Sequence, residues 1–396
     1  MEKANSTHFA PLRTLPPETW IGDPGVLTRP TLLILNSRQN RYPVGDEPWV
    51  RQTIAAVQWA AQRDMAVLSS LGMITWELIT WASAEAFGDV VVVVGLPPNL
   101  GRRASVDWHE RIFSDFNLID QHTCLIPYLE SAKPKESWAA RDQWLFAHAD
   151  RIAPVSVRPN GSLAELMDRE PFRHRISETF RVPYDPRPPS FPSIPEPDEV
   201  HEVLRDLEWD HVVHWTRANA GPWPGETPAS FYEALARSRG AYPRDAEATL
   251  ARILTEQRIR ATGWRMPLGR AMTSFSALHP ADMMPLMVRQ RRFVRMSYEP
   301  YGIAIRREVL ETIGGQPVRY GPPAEQKTLP AVERLFFQSG KPGGYDWSVE
   351  QEWRVKGEVP LDALNPEEAL VLVPTLECAK RIREWTSLPV RSLRNA

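Results

Sequence analysis

A chain of 396 residues, 42% of them hydrophobic, has room for two domains of ordinary size and material for two cores. With 47 Lys and Arg against 49 Asp and Glu, the formal net charge is −2, which excludes an overall basic nucleic-acid binder and leaves only a local patch for such a role. Cys124 and Cys378 lie too far apart in sequence to suggest a disulfide framework or a cysteine zinc site, the start of the chain has no apolar h-region, and the longest apolar run, VVVVVGL, falls short of a membrane span, so the expectation is a cytoplasmic protein with no membrane partner.

The first 29 residues carry several prolines and little periodicity, and read as an extended arm. From residue 30 strand and helix alternate. TLLILNS (31–37) is a buried-type strand, a helix follows over roughly 48–63, MAVLSS is a second strand, TWELITWASAEAF a helix and DVVVVVG a third strand. This alternation predicts a doubly wound parallel sheet, a Rossmann-like α/β domain over 30–181. Ligands of such sheets sit at the carboxyl ends of the strands, where Ser37, Ser69, Gly72 and Gly161 fall. Segment 182–198 holds seven prolines and reads as a semi-rigid linker. Beyond it, HVVHWTR (211–217) alternates as a strand, ASFYEALARSR and DAEATLARILTEQ are helical, and short strand patterns recur as far as EALVLV. That mixture predicts an α+β domain over 199–396 with a mostly antiparallel, split sheet.

Residues 141–166, RDQWLFAHADRIAPVSVRPNGSLAEL, read as helix, strand, small-residue turn and helix. The turn places Asn160, Gly161 and Ser162 where backbone N–H groups converge, a natural anion site. Glu165 follows one turn later, and Arg141 lies one helix and one strand upstream. This stretch resembles the LOG/DprA-like (SLOG) nucleotide-binding superfamily. Its phosphoribohydrolases carry an Arg-containing helix, an Ala-Asp pair, a strand and a Pro-Gly-Gly-x-Gly-Thr-x-x-Glu turn. The matching residues are Arg141, Ala149-Asp150, IAPVSV and RPNGSLAE, with Pro159-Asn160 standing where the family has its first Gly pair. Gly72, Glu77 and Ala82 echo an earlier family signature, and the resemblance covers roughly residues 30–175. It implies nucleotide binding at Ser37, Ser69, Gly72, Gly161 and Ser162, with Arg141 and Glu165 around the sugar, and it suggests a homodimer.

Three strand-borne pieces stand out in the second half: His214-Trp215-Thr216, Ser274-Phe275-Ser276 and Glu350-Gln351-Glu352. Together they resemble the ADP-ribosyltransferase-like fold, over about 205–375. The resemblance implies NAD or another nucleotide as substrate. It makes Glu352 the acid beside the ribose, Glu350 its neighbour on the same strand face, His214 a ribose or carboxamide contact, and Thr216, Ser274 and Ser276 nucleotide-binding. Those residue types suit the chemistry, because cleavage of the nicotinamide–ribose bond passes through an oxocarbenium-like state that a carboxylate stabilises. Trp347-x-x-Glu350-x-Glu352-Trp353-Arg354 is also similar to a mark of bacterial proteins related to phage defence.

Three functions stay open on the sequence. The leading one pairs a nucleotide-binding first domain with a second domain that cleaves NAD or transfers from it, onto a protein acceptor among others. A second places N-glycosidic hydrolysis, of a nucleotide or of a base in nucleic acid, at Arg141 and Glu165. A third is a non-catalytic sensor of nucleotide or DNA working through the basic cluster Arg289, Arg291, Arg292 and Arg295. Structural readings stand beside each: Arg141 and Glu165 as a helix-tying ion pair, Gly72 and Gly161 as ordinary turn glycines, Glu350 and Glu352 as an exposed strand face, the arginines as a solvated edge. His211 and His214, three apart on a strand, point to opposite faces, so no metal is expected.

Overall fold

The computed structural model describes residues 12–96, 102–131, 133–187, 191, 193–205, 208–263, 266, 269–290, 295–340 and 346–394, with the backbone alone at 102–107. The chain falls into two compact units, Met1–Pro188 with Gly221–Pro243, and Pro189–Ala220 with Arg244–Ala396. Segment 221–243, read from the sequence as part of the second domain, thus belongs to the first unit.

In the first unit, runs without alternation such as TLLILN, AVLSS and VVVVVGL form strands buried on both faces, as parallel strands covered by helices are. The strands β1 (Ile21–Gly22), β2 (Thr31–Asn36), β3 (Ala66–Ser70), β4 (Val90–Leu96), β5 (Thr123–Leu129) and β6 (Arg151–Ser156) make one sheet in the order β1-β5-β4-β3-β2-β6. All pairs are parallel except β1 with β5, so the described part of the expected arm supplies an antiparallel edge. The helices are α1 (Pro48–Ala61), α2 (Ile74–Glu85), α3 (Arg102–Phe116), α4 (Pro134–Ala147), α5 (Ser162–Met167) and α6 (Glu170–Arg173). Pro48 and Pro134 open α1 and α4, where a missing N–H costs nothing. The connections through α1, α2 and α3 step one way along the sheet, and the connection through α4 steps back past β2 to β6. Right-handed crossovers put α1–α3 on one face and α4 on the other. The doubly wound, Rossmann-like α/β architecture follows. Helix Pro228–Arg237 returns to this unit and buries Phe231, Tyr232 and Leu235 in its core.

The second unit carries β7 (His211–Trp215), β8 (Arg258–Ile259), β9 (Met272–Ser276), β10 (Arg289–Gln290), β11 (Arg295–Met296) and β12 (Gly302–Arg306). They are followed by β13 (Gln316–Pro317), β14 (Arg319–Gly321), β15 (Phe337–Ser339), β16 (Glu352–Lys356), β17 (Val359–Pro360), β18 (Ala369–Val373) and β19 (Val390–Ser392). Seven of them form a sheet ordered β13-β16-β9-β7-β12-β18-β19, antiparallel except for the β18–β19 pair. Alternate residues feed two cores: Val212, Phe275, Ile303 and Val355 one face, Val213, Trp215, Ala304 and Leu372 the other. Among the described residues no helix is long and apolar enough to cross a membrane.

Candidate functional site

The strand order reverses between β2 and β6, and in doubly wound sheets the carboxyl ends of the strands at such a reversal are where a ligand crevice forms, because the chain leaves the two strands toward opposite faces. Its floor is tied together by main chain and hydroxyls. Ser37 N–H donates to the Ser156 carbonyl at 2.8 Å, and the Ser37 hydroxyl accepts the Arg158 N–H at 2.9 Å. Gln39 Nε2 donates to the Ser37 carbonyl at 2.7 Å. In the RPNGS turn, Asn160 adopts φ 57°, a left-handed conformation that Asn tolerates. Gly161 is buried at the entry to α5, and a Cβ there would stand 3.2 Å from the Arg158 carbonyl and 3.4 Å from Arg158 Nε. The close neighbour of such a Cβ is the Arg158 carbonyl, and the Arg158 side chain lies over Gly161 at ordinary contact distance. Arg158 is exposed, and among the described residues no carboxylate forms a salt bridge with its guanidinium. Ser162 and Glu165 lie exposed on α5, which at six residues offers little helix dipole. Asn36, at the end of β2, is buried, donates to Thr53 Oγ1 at 2.8 Å, and has no partner for its Oδ1. At the lip, Arg41 holds Glu47 at 2.6 Å and Asp185 at 2.9 Å, and hydrogen bonds from Arg187 keep the Asp185 carboxyl well below the usual range.

The carboxyl end of β3 is structurally committed. The Ser69 hydroxyl is buried, donates to the Trp76 carbonyl at 2.9 Å and meets Thr80 Oγ1 at 3.0 Å, so it anchors α2 and does not face a ligand. Gly72 takes φ 91°, and its N–H donates to Glu77 Oε1 at 2.9 Å. Glu77 Oε2 accepts the Tyr232 hydroxyl at 2.8 Å. The expected anion place at this turn is thus filled by a side-chain carboxylate. Arg141 is 5% exposed and is chelated by its neighbour Asp142 at 3.0 and 2.7 Å, with its guanidinium over the Trp76 ring at 5.3 Å. Burial raises the Asp142 pKa against the lowering effect of Arg141. Arg141 and Glu165 form no ion pair with each other, which corrects that structural reading of them.

In the second unit the expected cleft residues are divided. Val213 pairs with Ser276, and Ser276 with Glu352, so these three share one face of the sheet. His214 takes the other face, edge-on to Phe275 at 5.7 Å, with Nδ1 donating to the Ser274 carbonyl at 2.8 Å. His214 and Glu352 therefore do not line one cleft. Glu352 accepts the Ser274 hydroxyl at 2.7 Å and is clamped by Arg354 Nε and Nη2 at 2.8 Å each. Arg354, 2% exposed, also donates to the Leu335 carbonyl and to Gln338 Oε1. Glu350 does not share a strand face with Glu352: it ends a 3-10 turn, Gln351 is left-handed at φ 44°, and the strand starts only at Glu352. Its Oε2 accepts the Tyr298 hydroxyl at 2.9 Å. Ser276 donates to the Glu350 carbonyl at 2.7 Å, and buried Thr216 donates to the Tyr301 carbonyl at 3.1 Å, both structural bonds. Arg289 and Arg295 sit on the β10–β11 pair, the first over the Phe191 ring at 5.6 Å and the second bonded to Gln290 at 3.2 Å. Arg291 and Arg292 lie outside the described residues.

Sequence reasoning missed Arg158, Asp142, Tyr232 and Arg354. Two of these left a trace: Arg158 opens the RPNGS turn itself, and Glu352 and Arg354, two apart on a strand, share a face. Among the described residues no group of three or more His, Cys, Asp or Glu is placed to hold a metal.

No family model matches the chain, and no curated protein matches it. Solved structures similar to part of it include two of DNA processing protein A. DNA processing protein A from Streptococcus pneumoniae matches with a TM-score of 0.30 at 11% identity, over 40% of this chain and 52% of that one. DNA processing protein A from Helicobacter pylori, in a structure concerned with its single-stranded DNA binding mode, matches with a TM-score of 0.29 at 16% identity, over 43% of this chain and 80% of that one. This chain thus spans about half the length of the first of them, and the likeness is weak and partial.

Proposed function

We propose that the first unit binds a nucleotide phosphate, free or within a single strand of nucleic acid, in the crevice between the carboxyl ends of β2 and β6, without chemistry. The observation that carries this reading is Arg158. It is an exposed guanidinium outside any salt bridge among the described residues, laid over Gly161 at the point where the strand order reverses. Ser37 and Gln39 line the same strand ends with polar groups for a sugar or base. A hydrogen bond from such a cation is worth roughly 1.5–3 kcal/mol. Turnover has no support in the geometry. Arg141 is already chelated, Glu165 stands apart in solvent, and in the second unit Glu352 is clamped by Arg354 on the face opposite His214.

Fluorescence anisotropy of a labelled single-stranded oligonucleotide, with adenosine monophosphate as competitor, tests this. The expected result is salt-sensitive binding that Arg158→Gln weakens about 10-fold or more, with no release of free base or nicotinamide on incubation. Competition by the monophosphate identifies free nucleotide as a ligand of the same crevice. Equal affinity in the wild type and Arg158→Gln, or binding to neither probe, contradicts the reading.

A further inference from the structure

At the opposite, amino edge of the same sheet lies a cleft of about 800 Å³, a size that suits a nucleotide-sized ligand. Three segments meet there: the start of β2 with Thr31, the turn from α4 into β6 with His148, Asp150 and Arg151, and the stretch after α6 with His174 and Arg175. The last of these is fixed against β6, since Ile152 N–H donates to the Arg175 carbonyl at 2.9 Å and Ser177 N–H to the Ile152 carbonyl at 2.8 Å.

The polar groups of this cleft are donors in excess. Among its lining residues the one carboxylate is Asp150, whose Oδ2 accepts the Thr31 N–H at 2.8 Å, while the Thr31 hydroxyl lies 2.6 Å from the His148 carbonyl it donates to and 3.1 Å from the same Oδ2. The carbonyls at the end of α4, which would repel an anion, are also occupied. Arg175 Nη1 donates to the Ala149 carbonyl at 2.9 Å, and His148 Nδ1 donates to the Trp144 carbonyl at 2.8 Å. Arg151 lies 5.9 Å from the Trp59 ring and His174 is exposed, and among the described residues neither makes a salt bridge. A cleft whose Arg151, Arg175 and His174 donors outnumber its single carboxylate suits a ligand rich in acceptors.

We infer that this cleft is a second anion site, separate from the crevice at the strand carboxyl ends, and that it takes the terminal phosphate of a phosphomonoester. Isothermal titration of the full chain with inorganic phosphate and with ribose 5-phosphate tests it. The expected result is saturable binding of both in the wild type and in Arg158→Gln. Made in the Arg158→Gln protein, the further changes Arg151→Gln and His174→Gln should weaken it at least 10-fold while leaving that protein's melting temperature unchanged. Both changed residues are exposed, so the fold does not depend on them. Dimethyl phosphate, a diester, should bind at least 10-fold more weakly than phosphate. No saturable binding in the wild type overturns the inference. So does binding that is lost in Arg158→Gln alone or that survives the two further changes, or a diester that binds as well as phosphate.

Discussion

Burial lowers the pKa of His214, the Ser274 carbonyl works against that by accepting from its ring, and Arg217 adds to the lowering. His211 is likewise lowered by burial, with Asp210 opposing. Both rings fold as neutral bases. The unfolded chain therefore takes up more protons in the range between the lowered values and the ordinary histidine value near 6.5. The stability these groups allow is complete above that ordinary value and is lost as pH falls toward the lowered ones. Each unit of lowering is worth about 1.4 kcal/mol. Denaturant unfolding at pH 7, 6 and 5 should show stability falling, with a shallower fall in His214→Gln, which keeps a donor for the Ser274 carbonyl. Equal slopes in the two proteins would contradict this. The histidine was visible in the sequence as a candidate, but the company of its face was not, because alternation along β7 says nothing of which neighbours in β9 and β16 share it. Glu352-x-Arg354 held the better signal, an opposite-charge pair on one strand face, and the structure makes it a two-bonded clamp.

The helix Pro228–Arg237 shows what a pattern reveals and what it omits. Its apolar residues Ala229, Phe231, Tyr232 and Leu235 announce a buried face in the sequence. Nothing in them says that the face belongs with residues far upstream, where Tyr232 packs near Trp81 and Phe116 and bonds Glu77. Tyr232→Phe removes a hydrogen bond to a carboxylate that also holds the Gly72 turn. It should cost about 1.5–3 kcal/mol, read as a lowered midpoint in urea unfolding. A shift worth less than about 0.5 kcal/mol would show that the bond is not made. The long strands β2, β3, β4 and β6 were legible because uninterrupted apolar runs of that length have few other fates in an alternating chain. The two-residue strands β1, β8 and β13 were not, since two residues carry no period.

For the molecule as a whole, the alternation of elements disclosed a Rossmann-like first unit and a mostly antiparallel second one, but strand order is a long-range property. The placement of β6 beside β2 creates the crevice, and no local pattern encodes it. Ser37 and Gly161, named from their strand ends, lie beside that reversal of strand order, whereas at the equally promising end of β3 the Ser69 hydroxyl is bonded inside the protein and the exposed Gly72 N–H is taken by Glu77. The chemistry expected in the second unit gains no support for a related reason: its candidate residues stand on neighbouring strands but are divided between the faces of the sheet. On the proposed function, the crevice between β2 and β6 receives the ligand. Hydrogen–deuterium exchange of the full chain, with and without a saturating single-stranded oligonucleotide, tests it most directly. Exchange in residues 37–41 and 157–161 should slow on binding; unchanged exchange there, with protection confined to the second unit, would contradict the proposed function.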